Sequence, residues 1–177
     1  MKNNGLFDLF VEELKDMYSC ENQIVESLPK LIKHVSLPEL KEVLNHHLEE
    51  TLNQVAKLEK IFLMLGMEPS EETCEAMKGI IKEANHLLAN KNKSSTMDAA
   101  IIAACQKIEH YEIASYGTLK SFAKHLDMDS EIVDLIDDAL DEEGAADKKL
   151  TKIADGSFFS SGVNQEAAEA HAGKYRK

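Results

Sequence analysis

Residues that interrupt helices are scarce in this sequence, which has only 3 prolines and 8 glycines among 177 residues and no tryptophan. Because proline and glycine are the strongest helix breakers, their scarcity favours long, uninterrupted helices. No apolar run approaches the length that a membrane-spanning helix needs, and the N-terminus, MKNNGLFDLF, lacks the pattern of a secretory signal peptide. The sequence therefore predicts a soluble helical protein without a membrane partner.

Cysteine is also scarce. The three cysteines, Cys20, Cys74 and Cys105, form no close-spaced metal or redox motif, and no rubredoxin-like cluster is present. An odd number of isolated cysteines is typical of a reducing compartment, so we expect a cytoplasmic protein. Cys105 is expected in the apolar core. Cys20 lies about 100° around its helix from Glu21, so it is not counted as a metal ligand.

Positive charge is outnumbered, because 32 acidic residues stand against 20 basic ones and the formal net charge is −12. Such acidity repels phosphate backbones and anionic lipids, so we expect no nucleic-acid partner. Solubility is the simplest explanation, and the alternative is an exterior that attracts cations toward a buried site. With 44% hydrophobic residues, a chain of this length is expected to form one domain with a sizeable core.

Helical periodicity and helix breakers predict four long helices and one short helix. The long helices are expected at about 6–35, 38–65, 96–125 and 130–154. Gly66 and Gly156 are expected to end the helices that precede them. The short helix begins after Ser70, a candidate N-cap, and ends near Ala89.

The lengths of the connections predict the topology. The first two long helices are joined tightly, as are the last two, so each pair is expected to form an antiparallel hairpin. Roughly thirty residues separate the hairpins, which is enough for a crossover that contains the short helix. The expected fold is an all-α, ferritin-like four-helix bundle with a fifth helix in the crossover. Residues 1–155 should form this bundle, and residues 156–177 a C-terminal tail that docks through Phe158 and Phe159.

Six acidic residues fall in the middle of the long helices, where the apolar stripe of each helix continues. The stripe of the third long helix reads, in steps of three and four, Ile101, Cys105, Glu109, Glu112, Tyr116 and Leu119. The six acids are Glu21, Glu50, Glu109, Glu112, Glu143 and Asp147. A single mid-helix glutamate normally lies on a solvated face. Burying several unpaired carboxylates, at several kcal/mol each, would exceed the net stability of a domain, so six inward acids predict a bound metal cluster.

The two predicted hairpins carry similar patterns. Glu21 and Glu50 are 29 positions apart, and Glu112 and Glu143 are 31 positions apart. In both hairpins the second glutamate is followed, four positions on, by another oxygen ligand. These ligands are Gln54 and Asp147. Around an approximate two-fold axis, such hairpins would bring four glutamates to one level of the core.

Carboxylates with a carboxamide form an oxygen-rich site that suits iron, manganese or magnesium better than copper or structural zinc. We therefore expect a dinuclear iron or manganese site with open positions for oxygen or peroxide. The predicted ligands are Glu21, Glu50, Gln54, Glu109, Glu112, Glu143 and Asp147. Gln54 fits a ligand and a packed amide equally well. His47 is an outer candidate, although a hydrogen-bonded core histidine is the simpler interpretation, and Tyr18 and Tyr116 are most simply core aromatics.

Three segments carry a family resemblance. They are 17–23 (MYSCENQ), 47–54 (HLEETLNQ) and 107–119 (KIEHYEIASYGTL), and the run from Leu140 to Thr151 agrees with them. Over about residues 5–155, the chain resembles the YciF-like bacterial family. The resemblance implies a ferritin-like bundle related in fold to rubrerythrins, a homodimer, and an association with bacterial stress responses. The pair Glu109-x-x-Glu112 is similar to the pattern of the rubrerythrin third helix.

The sequence departs from the wider ferritin-like pattern in one respect. Diiron members usually carry Glu-x-x-His on the second and fourth helices. Here Asn53 follows Glu50, and Ala146 follows Glu143, at that spacing. Two functions therefore stay open. The first is a stress-response protein that consumes peroxide or oxygen at a metal pair, and the second is a non-catalytic structural or partner-binding bundle whose acid layer is vestigial or metal-free.

Overall fold

A computed structural model describes residues 5–88, 92–157 and 160–170. The helices within these residues are α1 (Leu6–Ile32), α2 (Pro38–Met64), α3 (Glu75–Leu87), α4 (Ser95–His125), α5 (Ser130–Asp155) and α6 (Val163–Glu169). Two short strands, β1 (Gly156–Ser157) and β2 (Ser160–Ser161), pair antiparallel after α5. The prediction of four long helices with a short helix in the crossover is confirmed.

Helix ends follow the chemistry of the residues found there. Pro38 begins α2, where its missing N–H leaves no hydrogen bond unmade. Gly66 and Gly156 follow α2 and α5 with φ values of 69° and 78°, a conformation that glycine adopts without strain. Both glycines therefore end their helices as predicted.

The start of α3 differs from the prediction. Cys74, rather than Ser70, is the N-cap, and its Sγ accepts a hydrogen bond from the Met77 N–H at 3.4 Å. Two side chains of α1 hold the backbone of Cys74. Its N–H donates to Ser19 Oγ at 3.2 Å, and its carbonyl accepts from Gln23 Nε2 at 3.1 Å. Contact with α1 thus decides where α3 begins. The prediction of Ser70 failed because it used only local sequence preference, which contains no information about contacts between helices.

The two hairpins, α1–α2 and α4–α5, face each other, with α1 against α4 and α2 against α5. Asp98 of α4 ties them together at one end, because its buried carboxylate accepts the N–H groups of Ser36 and Leu37 at 2.8 and 3.0 Å. Large apolar side chains fill the space between the hairpins, among them Phe10, Leu14, Met17, Leu44, Phe62 and Leu119. The helices α1, α2, α4 and α5 therefore enclose one core.

The predicted tail contains ordered structure. After the β1–β2 pair, α6 packs on α4 and α5 and buries Val163. A Cβ placed on Gly162 would lie 2.3 Å from the carbonyl oxygen of Ala154, so the chain can approach α5 this closely only at a glycine. The predicted docking residues Phe158 and Phe159 lie outside the described residues. In the part of the chain that is described, no helix is both long and apolar enough to cross a membrane.

We expect Gly162→Ala to weaken the docking of α6. The new methyl group would collide with backbone atoms, which cannot rotate away, so the free energy of unfolding should fall by about 1–3 kcal/mol. Denaturant unfolding measures this loss, and amide hydrogen exchange should show it first within Val163–Glu169. Gly79→Ala is the matched control, because its Cβ would meet no atom within 4 Å and an alanine inside a helix stabilises by up to ~1 kcal/mol. Unchanged protection of α6 in the Gly162 variant would contradict this prediction.

Candidate metal centre

Polar groups gather at one level of the bundle core. Glu109, Glu112 and Tyr116 follow one another on the buried stripe of α4, while α1 adds Glu21 and α5 adds Glu143. Each of these side chains is buried. Steps of three and four residues keep the α4 groups on one face, so the helix delivers all three into the bundle.

Four side chains converge most closely. His47, Glu109, Glu112 and Glu143 each offer one nitrogen or oxygen ligand atom, and these atoms lie within 4.8 Å of one another. They come from α2, α4 and α5, so the site joins both hairpins. A set of carboxylates with one imidazole fits the ligands that iron and manganese accept.

The carboxyl groups also form two pairs. Glu21 lies within hydrogen-bond reach of Glu112, and Glu109 within reach of Glu143. Two ionised carboxylates cannot donate to each other, so each pair needs a shared proton or a cation. Tyr116 donates its hydroxyl proton to Glu21 Oε1 at 2.5 Å and thereby stabilises one oxygen of the first pair.

Most polar atoms of this layer have no hydrogen-bond partner. Among the described residues, nine buried side-chain atoms are unpartnered: Glu21 Oε2, His47 Nδ1 and Nε2, Gln54 Oε1, both oxygens of Glu109 and of Glu112, and Glu143 Oε2. His47 Nε2 lies 3.3 Å from Glu109 Oε1 but without hydrogen-bond geometry. Because buried polar atoms are almost always satisfied, so many orphans at one level indicate a missing ligand.

Gln54 borders the cluster and orients Glu143. Its amide nitrogen donates to Glu143 Oε1 and also to Glu142 Oε2, the latter at 3.0 Å. Glu142 in turn pairs with Lys57 at 2.7 Å. The amide oxygen of Gln54 stays among the unpartnered atoms. Gln54 is therefore a packed, hydrogen-bonded amide whose oxygen is buried without a partner, and its role as a metal ligand stays a prediction.

Glu50 and Asp147 lie at the margin of the layer, with side chains 17% and 20% exposed. Glu50 pairs with His46 at 3.1 Å, and Asp147 accepts from Gln106 at 3.1 Å. The buried stripe of α2 passes through Leu44, His47, Thr51, Gln54 and Leu58 rather than through Glu50. Ala146 occupies the corresponding buried position on α5 in place of Asp147. The structure thus brings together Glu21, Glu109, Glu112 and Glu143 but not these two acids.

His47 and Tyr116 are the residues that sequence reasoning underrated. His47 was expected as a hydrogen-bonded core histidine, yet neither ring nitrogen has a hydrogen-bond partner and the ring faces three glutamates. Tyr116 was expected as a core aromatic, and it is also the hydroxyl donor to Glu21. A signal was present, because Tyr116 lies four positions after Glu112 and His47 lies seven positions, about two turns, before Gln54 on the same helix face.

Residues 5–168 match the protein family described as "Domain of unknown function (DUF892)". The chain belongs to this family. Among its relatives, Protein YciF of Escherichia coli strain K12 is 40% identical over 155 residues, which cover 87% of this chain and 93% of YciF. The resemblance to YciF-like proteins is therefore confirmed.

Solved structures of DUF892-related proteins share the fold. The E. coli stress protein YciF superposes with a TM-score of 0.80 at 39% identity, covering 84% of this chain and 94% of YciF. YcfI from Rhodopseudomonas palustris superposes with a TM-score of 0.82 at 40% identity, covering 87% of this chain and 99% of YcfI. These similarities agree with the bundle described above.

Burial shifts the pKa values of the ionisable side chains in this polar layer. Burial raises the pKa of Glu21, Glu109 and Glu112 well above the ordinary glutamate value, and the neighbouring Glu143 raises each of them further. Burial lowers the pKa of His47 and so favours the neutral imidazole, which is the form that binds metals. Without a cation, the layer therefore takes up protons.

We expect the metal-free protein to lose stability as pH rises. The raised pKa values mean that the folded chain holds protons on Glu21, Glu109 and Glu112 that the unfolded chain has released. The free energy of unfolding is then highest below the ordinary glutamate pKa, and it falls by about 1.4 kcal/mol per pH unit and group as pH rises toward the raised values. His47 acts in the opposite sense because its folded pKa is lowered, but it is one group against three.

Denaturant unfolding with a chelator, from mildly acidic to mildly alkaline pH, measures this slope. Glu112→Gln should flatten it by removing one titrating group, and added metal should reverse it by favouring the ionised carboxylates. Glu131→Gln is the control, because Glu131 is 55% exposed and lies on the surface beside Lys60. Unfolding curves that coincide at every pH would mean that these acids behave as solvated groups.

Proposed function

We propose that this chain is a ferritin-like stress protein that binds a dinuclear iron or manganese centre in its bundle core. One observation carries the proposal: a histidine and four glutamates are buried at one level, and most of their polar atoms have no partner. Leaving several charges uncompensated would cost more than the net stability of a domain, so a compensating cation is expected.

The residues divide naturally between two ions. Glu109, Glu112, Glu143 and His47 form the closest group, and Glu21 joins through its contact with Glu112. Two carboxylate pairs would offer enough oxygens to hold two ions. The amide oxygen of Gln54 is a further proposed ligand. Glu50 and Asp147, which lie at the margin of the layer, are outer candidate ligands. The names of the relatives support a role in stress, since the E. coli protein is called a stress protein.

Oxygen or peroxide consumption is the activity that we assign to this centre. When bound, iron or manganese supplies Lewis-acid and redox chemistry toward such oxidants. The carboxylates would hold the ions, burial of the layer would exclude water, and Tyr116 keeps a proton beside Glu21 Oε1. Because His47 is neutral, its imidazole is ready to bind without first losing a proton.

We further propose a cytoplasmic homodimer without a nucleic-acid or membrane partner. The three cysteines are free in the structure, as a reducing compartment favours. Large apolar side chains are exposed on the α1–α2 hairpin, with Phe7 and Leu9 on α1 and Leu52 and Leu63 on α2. Burying such side chains against a second copy would remove apolar area from water.

A second function is favoured by a different observation. Histidine is absent three positions after Glu50 and Glu143, and existing hydrogen bonds from Tyr116 and Gln54 already satisfy one oxygen of Glu21 and one of Glu143. One proton in each carboxyl pair would satisfy further atoms. On this alternative the chain is a structural or partner-binding bundle with a vestigial or metal-free acid layer.

Metal content separates the two functions. Elemental analysis of protein purified from cells supplied with iron and manganese should find about two metal ions per chain. Glu112→Ala and His47→Ala should each lower the metal affinity by about tenfold or more, because each removes a ligand atom from the cluster. His125→Ala is the control, since His125 is an exposed histidine of α4 whose ring nitrogen lies 2.8 Å from the backbone carbonyl of Ser121. Metal well below one ion per chain, unchanged by Glu112→Ala, would rule out the centre.

Activity is tested on protein loaded with ferrous iron or manganese. We expect ferrous oxidation or peroxide consumption above the rate in buffer, and we expect Glu112→Ala to abolish the excess because bound metal is lost. His125→Ala should keep the wild-type rate. If fully loaded wild-type protein shows no rate above buffer, the enzymatic function is rejected and the non-catalytic bundle is favoured.

A further inference from the structure

A second cluster of reactive groups lies where α3 docks on α1. The N–H and carbonyl of Cys74 are held by Ser19 and Gln23, which flank Cys20 on α1. The side chains of Cys20 and Cys74 lie within hydrogen-bond reach of each other, and both thiols are free and buried. Two backbone hydrogen bonds therefore hold one cysteine against another that is distant in sequence.

The Cys74 thiol has the surroundings of a reactive cysteine. As the N-cap of α3, its Sγ accepts from the Met77 N–H at 3.4 Å, and the start of a helix stabilises negative charge. The Tyr111 hydroxyl lies 3.1 Å from the same sulfur and donates to Asp16 at 2.6 Å. The hydrogen bond from Cys20 lowers the pKa of Cys74, burial opposes it, and the hydrogen bond from the Met77 N–H lowers the pKa further.

A small surface cleft lies beside this sulfur, which is itself buried. The cleft has a volume of about 270 Å³ and is lined by Glu12, Glu13, Asp16, Glu72, Thr73 and Tyr111. Its lining includes Tyr111, whose hydroxyl touches Cys74, and Thr73, the residue before Cys74 in the chain. The acidic residues of the cleft repel anions, so a small neutral oxidant is the reagent that suits this surface.

We propose that Cys74 and Cys20 form a redox-active thiol pair that a hydroperoxide converts into a disulfide. The Cys74 sulfur attacks one peroxide oxygen, the O–O bond breaks, and Cys74 becomes a sulfenic acid as one water, or one alcohol, leaves. The Cys20 sulfur then attacks the Cys74 sulfur, the S–O bond breaks, and a second water leaves. Two thiols lose two electrons in total, and the peroxide gains them.

This reaction differs from the one assigned to the metal centre. It consumes one peroxide for each pair of thiols, requires no metal, and uses residues that are not among the proposed ligands. Cys105 provides an internal reference, because it is also buried but neither of the other two thiols contributes to its pKa, whereas Cys20 and Cys74 act on each other. Burial raises the pKa of both Cys105 and Cys20.

The test uses full-length, reduced protein freed of metal with a chelator and exposed to stoichiometric hydrogen peroxide. Thiols that remain are alkylated after unfolding, and the protein is digested with trypsin without reductant. Each cysteine lies on its own tryptic peptide, 16–30 for Cys20, 61–78 for Cys74 and 94–107 for Cys105. We expect peptides 16–30 and 61–78 to be joined within one chain and released by dithiothreitol, while 94–107 is alkylated.

Variants assign the two roles. Cys20→Ala should lose the link and leave a sulfenic acid on Cys74 that dimedone traps. Cys74→Ser, which keeps an N-cap oxygen, should lose the link and leave Cys20 unmodified, and Cys105→Ala should keep the link. Wild-type protein that stays fully alkylated would overturn the proposal, as would a link that appears only with metal bound or only between chains. Because metal is absent throughout, failure here leaves the metal content of the core a separate result.

Discussion

The burial of four carboxyl groups at one level of the core is the constraint on which this structure depends. Glu21, Glu109, Glu112 and Glu143 lie between apolar layers, where an uncompensated charge costs several kcal/mol. Apolar packing above and below the layer must hold the helices together, because repulsion between the carboxylates opposes close approach of the helices at the layer. Long helices with few breaks allow this, because each helix carries apolar residues on both sides of its acid. A cation or shared protons then complete the core.

The two hairpins contribute unequally to this layer, despite the similar spacing of their glutamates. The second hairpin supplies Glu109, Glu112 and Glu143, whereas α2 supplies His47 and Gln54 in place of Glu50. An imidazole and an amide carry no negative charge, so this substitution lowers the repulsion within the layer. It also explains how the centre has a histidine although the Glu-x-x-His pattern is absent, since His47 precedes its glutamate in the sequence instead of following it.

The fold and the α4 part of the site could be predicted from sequence, and the register of α2 and α5 could not. On α4 only one stripe carries the acids with apolar residues on both sides of them. On α2, Val43 and Leu44 are adjacent, so stripes through Glu50 and through Thr51 are equally apolar by periodicity. The same ambiguity arises on α5, where Ala139 and Leu140 are adjacent. Only packing between the hairpins selects the buried stripe, and helix periodicity contains no information about the partner.

The crossover helix α3 connects the two hairpins and also brings a second reactive side chain to α1. Two hairpins of this arrangement need a long connection, and α3 fills it by docking its first turn on α1. Adjacent residues of α1 then face different environments, because a step of one residue rotates a helix by about 100°. Glu21 points to the acid layer, while Cys20 points to the start of α3 and meets Cys74. Within one turn of α1, Glu21 thus faces an oxygen-rich centre and Cys20 faces a thiol pair. The helix backbone lies between these two side chains and keeps the carboxylate and the thiol apart.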